Sequence, residues 1–241
     1  MTTKPTILFV PGSFCPPTAY TATIAHLRSL GYPAVALRLP STTKRMPLEP
    51  AMMSEDADVI KRAAETVIAQ GKEVVVVCHS YGGTPTSQGL AGVKVKRIVY
   101  LSAIVPRVGE SQIKAYSGGE ELTMEDIGGY MHIDPVAMAF AVCNDLPWEI
   151  GYEHTLDLQH HSAASFLEAV TEVGYKDVPV TYLFCEDDLV VSPELQKGYI
   201  KVLEEESGNK VQIVNLKAGH CPNWSIPEKL GDIIAAEAER A

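Results

Sequence analysis

Four consecutive valines, Val74 to Val77, lead through Cys78 and His79 to Ser80, and the chain then passes through Tyr81 to the glycine pair Gly82-Gly83. An unbroken β-branched run of this kind suits a strand buried on both faces, as found inside a parallel sheet covered by helices. The abrupt change to glycines and then to a helix-compatible segment makes a sharp strand–turn–helix junction with Ser80 at its apex. Bulk two residues before or after such a serine would meet the neighbouring backbone. Cys78 and Gly82 occupy those two positions, and both are small.

The rest of the chain repeats the pattern. Short apolar runs at 6–10, 33–37, 73–78, 97–102, 180–185 and 210–216 alternate with amphipathic stretches at 18–30, 54–70, 193–206 and 227–240. Ser192 followed by Pro193 is a good helix start, and Gly31 and Gly71 are good stops. The expectation is an α/β fold: one mainly parallel central sheet with helices on both faces. At 241 residues a single core suffices. The rhythm breaks between 106 and 176, where only helix-like pieces at 135–144 and 161–173 are visible. Seventy residues are too many for a connection. We expect a core of 1–105 and 177–241 with an inserted helical lid subdomain over 106–176.

A serine hydroxyl is a weak nucleophile until a base takes its proton. Of seven histidines, His79 adjoins Ser80 and should face the other side of the turn. His220, in Ala218-Gly219-His220, follows the last expected strand and so falls at the same carboxyl edge of the sheet as Ser80. The base in turn needs a carboxylate to fix its tautomer. The strand at 180–185 ends in Glu186-Asp187-Asp188, whereas the strand at 97–102 ends in Ser102-Ala103 with no acid. Spacing alone leaves the three acids open. Acyl transfer also needs oxyanion donors. One is the amide of Tyr81; the other comes from the loop Pro11-Gly12-Ser13-Phe14, with the Ser13 amide preferred and Phe14 as the alternative.

These segments together resemble the α/β-hydrolase superfamily, in the branch of small esterases that includes plant methylesterases and hydroxynitrile lyases. The resemblance covers the whole chain and rests on Phe9-Val10-Pro11-Gly12-Ser13, Cys78-His79-Ser80-Tyr81-Gly82-Gly83, Phe184-Cys185-Glu186-Asp187-Asp188 and Ala218-Gly219-His220. Two positions depart from the usual pattern: Pro11 stands for a histidine and Cys78 for the first elbow glycine. The resemblance implies a catalytic triad of Ser80, His220 and Asp188. The acid is placed by counting back from Pro193-Glu194-Leu195-Gln196, with Asp187 as fallback. Hydroxynitrile lyases of the branch carry a lysine directly after the histidine; here that position is Cys221. Hydrolysis of an ester or lactone is therefore the expected chemistry. The retained alternatives are a non-hydrolytic biosynthetic catalyst (a C–C lyase or cyclase) and a triad-bearing ligand receptor.

Charge narrows the partner. Between Arg107 and Tyr175 there are 12 acidic and two basic residues, while the rest of the chain carries 18 of each sign. Such a surface disfavours nucleic acid and anionic lipid, and phosphorylated or coenzyme A-linked substrates as well. No run approaches the roughly 18 apolar residues of a membrane span. Five scattered cysteines without a CxxC pair suit a reducing, cytoplasmic setting. His154, His160 and His161 read as surface or lid-packing residues rather than metal ligands. We expect no cofactor and no metal. The expected partner is a small-molecule substrate, with a homodimer admissible. Tyr116, Tyr130, Met131, Met138, Phe140, Trp148, Tyr152 and Phe166 should form lid core for the most part. The remainder should line an apolar pocket for a medium-sized neutral ester.

Overall fold

The computed structural model describes residues 4–117 and 128–240. Its strands are β1 (Thr6–Val10), β2 (Ala34–Ala36), β3 (Val74–His79), β4 (Arg97–Leu101), β5 (Tyr130–Met131), β6 (His161–Ser162), β7 (Val180–Cys185) and β8 (Gln212–Leu216). Six of them form one sheet in the order β2-β1-β3-β4-β7-β8, and every neighbouring pair is parallel. The central strands are buried along their length because alternate residues serve opposite faces. Val75, Val77, Val99 and Leu101 pack into one core, and Val74, Val76, Ile98 and Tyr100 into the other. That explains the continuous valine run: neither face of β3 meets water. Edge strand β8 shows alternating exposure instead.

The helices are α1 (Thr21–Ser29), α2 (Met53–Ile68), α3 (Gly83–Gly89), α4 (Gln112–Ser117), α5 (Pro135–Val142), α6 (Trp148–Leu156), α7 (Ala164–Leu167), α8 (Pro193–Ser207), α9 (Pro222–Ser225) and α10 (Pro227–Glu239). Helices α1 and α10 cover one face of the sheet, while α2, α3 and α8 lie on the other. Helix α8 starts as its sequence demands: the Ser192 hydroxyl accepts the Leu195 amide, Pro193 takes the first position, and Gly208 closes the helix at φ 70°. Among the described residues, no helix is long and apolar enough to cross a membrane.

Among the described residues, nothing between β4 and β7 joins the main sheet. This stretch carries α4 to α7 and the small antiparallel pair β5–β6. The acids Glu120, Glu121, Glu125 and Asp126 lie outside the described residues. Two expectations need correction here. The helix expected over 161–173 is reduced to α7, because His161 and Ser162 pair with β5 and Ala169 bridges to Ser111. Phe140 and Trp148 are not core: they are 63% and 43% exposed, with ring centroids 6.4 Å apart. Helices α5 and α6 pack against each other through smaller residues, with Gly151 against Cys143.

Candidate active site

Parallel strands put their carboxyl ends at one rim, so the loops after β1, β3, β4, β7 and β8 meet there. Ser80 follows β3 directly. It sits at φ 53°, a left-handed conformation that a residue with a side chain adopts only when its surroundings enforce it. Close packing enforces it here. A Cβ added at Gly82 would lie 2.6 Å from the Val10 carbonyl oxygen, and one at Gly12 would lie 3.1 Å from Ser80 Cβ. The loop after β1 therefore rests on the elbow itself. Cys78 is fully buried, with Sγ 3.6 Å from the Val99 carbonyl oxygen.

Strands β7 and β8 are neighbours, so their end loops bring Asp188 to His220. The His220 Nδ1 lies 2.7 Å from Asp188 Oδ2, and both side chains are buried. The carboxylate can only accept, which places the hydrogen on Nδ1 and leaves a lone pair on Nε2. Asp188 is fully engaged: Oδ2 also accepts the Ser102 hydroxyl, and Oδ1 accepts the amides of Val190 at 2.7 Å and Val191 at 2.9 Å. Burial alone would raise its pKa, but His220, Ser102 and the Val190 amide outweigh it and hold the carboxyl below the ordinary range. Asp187 offers no such partner; its amide bonds the Ala218 carbonyl.

Among the described residues, no hydrogen bond joins Ser80 Oγ to His220 Nε2. Both residues line a single cavity of about 50 Å³, walled by Gly12 and Ser13 and roofed by Met138 and Trp224. The cavity adjoins a second pocket of about 330 Å³ that shares Ser13, Phe14, Ser80, Met138 and Val190 with it and is otherwise walled mainly by Ile104, Ile113, Met131, Phe166 and Val191. Tyr116 closes one side, and its hydroxyl donates to the Val190 carbonyl at 2.8 Å. A more open groove of about 570 Å³ lies at the opposite rim around Arg97 and Lys210, away from Ser80.

Two buried histidines brace the site. The His79 Nε2 lies 2.8 Å from the His220 carbonyl, which can only accept, so Nε2 carries the hydrogen. Nδ1 then accepts from Tyr20 Oη at 2.8 Å, and that oxygen accepts the Gly12 amide at 3.2 Å. Burial, with His220 close by, lowers the His79 pKa to about 3, so it stays neutral and cannot serve as the base. His161 plays a similar part from above. Its Nδ1 accepts the Phe14 amide at 3.1 Å, and its Nε2 donates to Ser165 Oγ at 3.1 Å. Its ring packs 4.5 Å from that of Tyr81.

The Phe14 amide is thus occupied, whereas no acceptor among the described residues takes the Ser13 amide. The structure places Ser80, His220, Asp188, Ser13 and Tyr81 at the carboxyl rim of the sheet. His161 is fully buried and packs within the 106–176 segment against Phe166, as one of the two expected settings has it; its bond to the Phe14 amide was missed because that partner is 147 positions away. Ser102 was passed over because it is not an acid; it supports the acid instead.

The family model for the alpha/beta hydrolase family matches residues 7–233. The chain belongs to the α/β-hydrolase family. Over 98% of its length it is 65% identical to 99% of a protein of a Phoma species named "Probable hydrolase R7". Among solved structures it is similar to a pyrethroid hydrolase from Sphingobium faniae, at TM-score 0.77 and 20% identity over 98% of this α/β hydrolase and 97% of that chain. It is also similar to an Arabidopsis methylesterase, at TM-score 0.74 and 15% identity over 97% and 98% of the two chains. Both show the same fold, and the second falls in the branch that the sequence motifs resemble.

Proposed function

We propose that this α/β hydrolase is a serine esterase that cleaves a medium-sized, neutral, largely apolar ester or lactone through an acyl-enzyme on Ser80. The observation that carries the reading is the buried His220–Asp188 pair opening onto the same cavity as a strained Ser80. His220 Nε2 takes the proton as Ser80 Oγ attacks the carbonyl carbon, and Asp188 stabilises the imidazolium. The Ser13 and Tyr81 amides hold the oxyanion. His220 then returns the proton to the leaving alcohol, and water releases the acid by the reverse path. Among the described residues, neither pocket at Ser80 is lined by lysine or arginine, which favours a neutral substrate. The segment 106–176 serves as the lid over this site. Five free, buried cysteines suit a cytoplasmic protein.

The test is intact-mass measurement after fluorophosphonate treatment, with hydrolysis of a short chromogenic ester in parallel. One adduct on Ser80, and loss of both signals in Ser80→Ala, supports the reading. Absence of an adduct on folded protein overturns it. Turnover that survives Ser80→Ala points to proton-transfer chemistry without an acyl-enzyme.

A further inference from the structure

Helix α4 begins with Gln112, a primary amide 3% exposed that lines the 330 Å³ pocket beside Ser80. Its Oε1 accepts the hydroxyl of Thr84, a fully buried residue of α3 just beyond the elbow. With Oε1 engaged in this way, the two Nε2 hydrogens are left over. Among the described residues, no acceptor takes them. The surrounding wall consists mainly of Ile104, Ile113, Met131, Phe166 and Val191, which supply no side-chain acceptor. One free amide donor, in a pocket whose other polar side chains among the described residues are the hydroxyls of Ser13, Ser80 and Tyr116, can fix a ligand's orientation.

We propose that Gln112 is a specificity-determining residue that donates from Nε2 to a second carbonyl oxygen of the substrate, distinct from the scissile ester, so that the preferred substrates are neutral oxo-esters. The proposal rests on Ser80 forming the acyl-enzyme. A carboxylate at that position would meet no lysine or arginine among the described lining residues. A ketone only accepts, and it matches what the wall offers.

The test compares aryl esters of one chain length, with and without a ketone at each carbon from the third to the sixth. Wild-type protein should favour one regioisomer over its ketone-free partner by about tenfold or more in kcat/KM, the range for one hydrogen bond to a buried neutral group. Gln112→Leu, of similar volume, should bring that ratio to about one. The absence of any preferred regioisomer, or a ratio that persists in Gln112→Leu, overturns the proposal. If Gln112→Leu does not fold, Gln112→Met is read in the same way. Equilibrium binding of the preferred oxo-ester to Ser80→Ala protein, with and without Gln112→Leu, separates the two readings. A ketone-dependent gain that needs Gln112 upholds the subsite even if Ser80 takes no fluorophosphonate. No gain beside a labelled Ser80 rejects the subsite alone.

Discussion

The Phe14 amide donates to His161 Nδ1 at 3.1 Å, tying the loop after β1 to the strand β6 that lies over it. Phe14 sits at φ 64°, a conformation that costs a bulky residue on the order of 1–3 kcal/mol. The hydrogen bond helps to hold it there, and with it the neighbouring Ser13 amide. Burial lowers the His161 pKa to about 3, so the ring remains a neutral acceptor across the working range.

His161→Phe keeps the ring packing and removes the acceptor. We expect kcat to fall about 10- to 100-fold with KM nearly unchanged, less than the 10²- to 10³-fold lost when an oxyanion donor is deleted outright. The affinity of a trifluoromethyl ketone, which mimics the tetrahedral state, should fall in parallel. His161→Gln restores an acceptor and should recover part of the loss. If stability drops while the affinity of this mimic is unchanged, His161 is structural only.

Asp188 and Asp187 are adjacent in sequence, but only Asp188 bonds His220. Asp188→Asn would turn the imidazole to the wrong tautomer and should lower kcat by about 10³- to 10⁴-fold. Asp187→Asn should change it less than about threefold, because the tautomer is untouched. Steady-state kinetics on a chromogenic ester decide between them. Equal losses in the two variants would contradict the geometry.

A second buried carboxylate has the opposite pH signature. Asp56 accepts the Ser41 amide at 2.9 Å and the Tyr81 hydroxyl at 2.7 Å, yet burial dominates and raises its pKa to about 6. The folded protein therefore holds this proton more tightly than the unfolded chain, whose Asp titrates near about 3.9. Stability should decline as pH rises from about 4 to 6 and level off above, by on the order of 2–3 kcal/mol. Asp188, with its lowered pKa, acts in the other direction: its contribution is complete above about 3.9 and is lost as pH falls further. Urea midpoints for wild type and Asp56→Asn at pH 4.5, 5.5 and 7.5 should diverge in favour of the variant as pH rises. A constant difference would reject the assignment.

The elbow gives a steric prediction. Gly82→Ala places a Cβ 2.6 Å from a backbone oxygen that cannot move away cheaply, so it should destabilise by about 1–3 kcal/mol or more and abolish fluorophosphonate labelling. Cys78→Ala, by contrast, should cost about 1 kcal/mol and leave Ser80 reactive. Thermal melts and labelling together read both variants.

Much of this was legible in the sequence, for a physical reason. Strands β1, β3, β4 and β7 are buried on two faces, so their apolar runs are continuous, and parallel order then sends Ser80, Asp188 and His220 to one rim. The cysteine at position 78 did not obscure the turn, because the turn needs smallness rather than glycine there. The roof was harder. Residues of a pocket wall follow neither strand nor helix periodicity strictly, so His161–Ser162 reads as the start of a helix and proves to be a strand. Phe140 and Trp148 look like core and stand at the surface. The bonds Phe14–His161, Ser102–Asp188 and Thr84–Gln112 each join distant segments, and no local pattern announces them.

The relay from Gly12 through Tyr20 and His79 to the His220 carbonyl has a consequence for retooling this scaffold. It anchors two of the reaction-bearing loops to a shared ring beneath them, independently of whatever covers them. Substrate scope should therefore yield to rewriting the walls above Ser80, provided His161 is spared, while changes to Tyr20 or His79 should blunt every substrate alike.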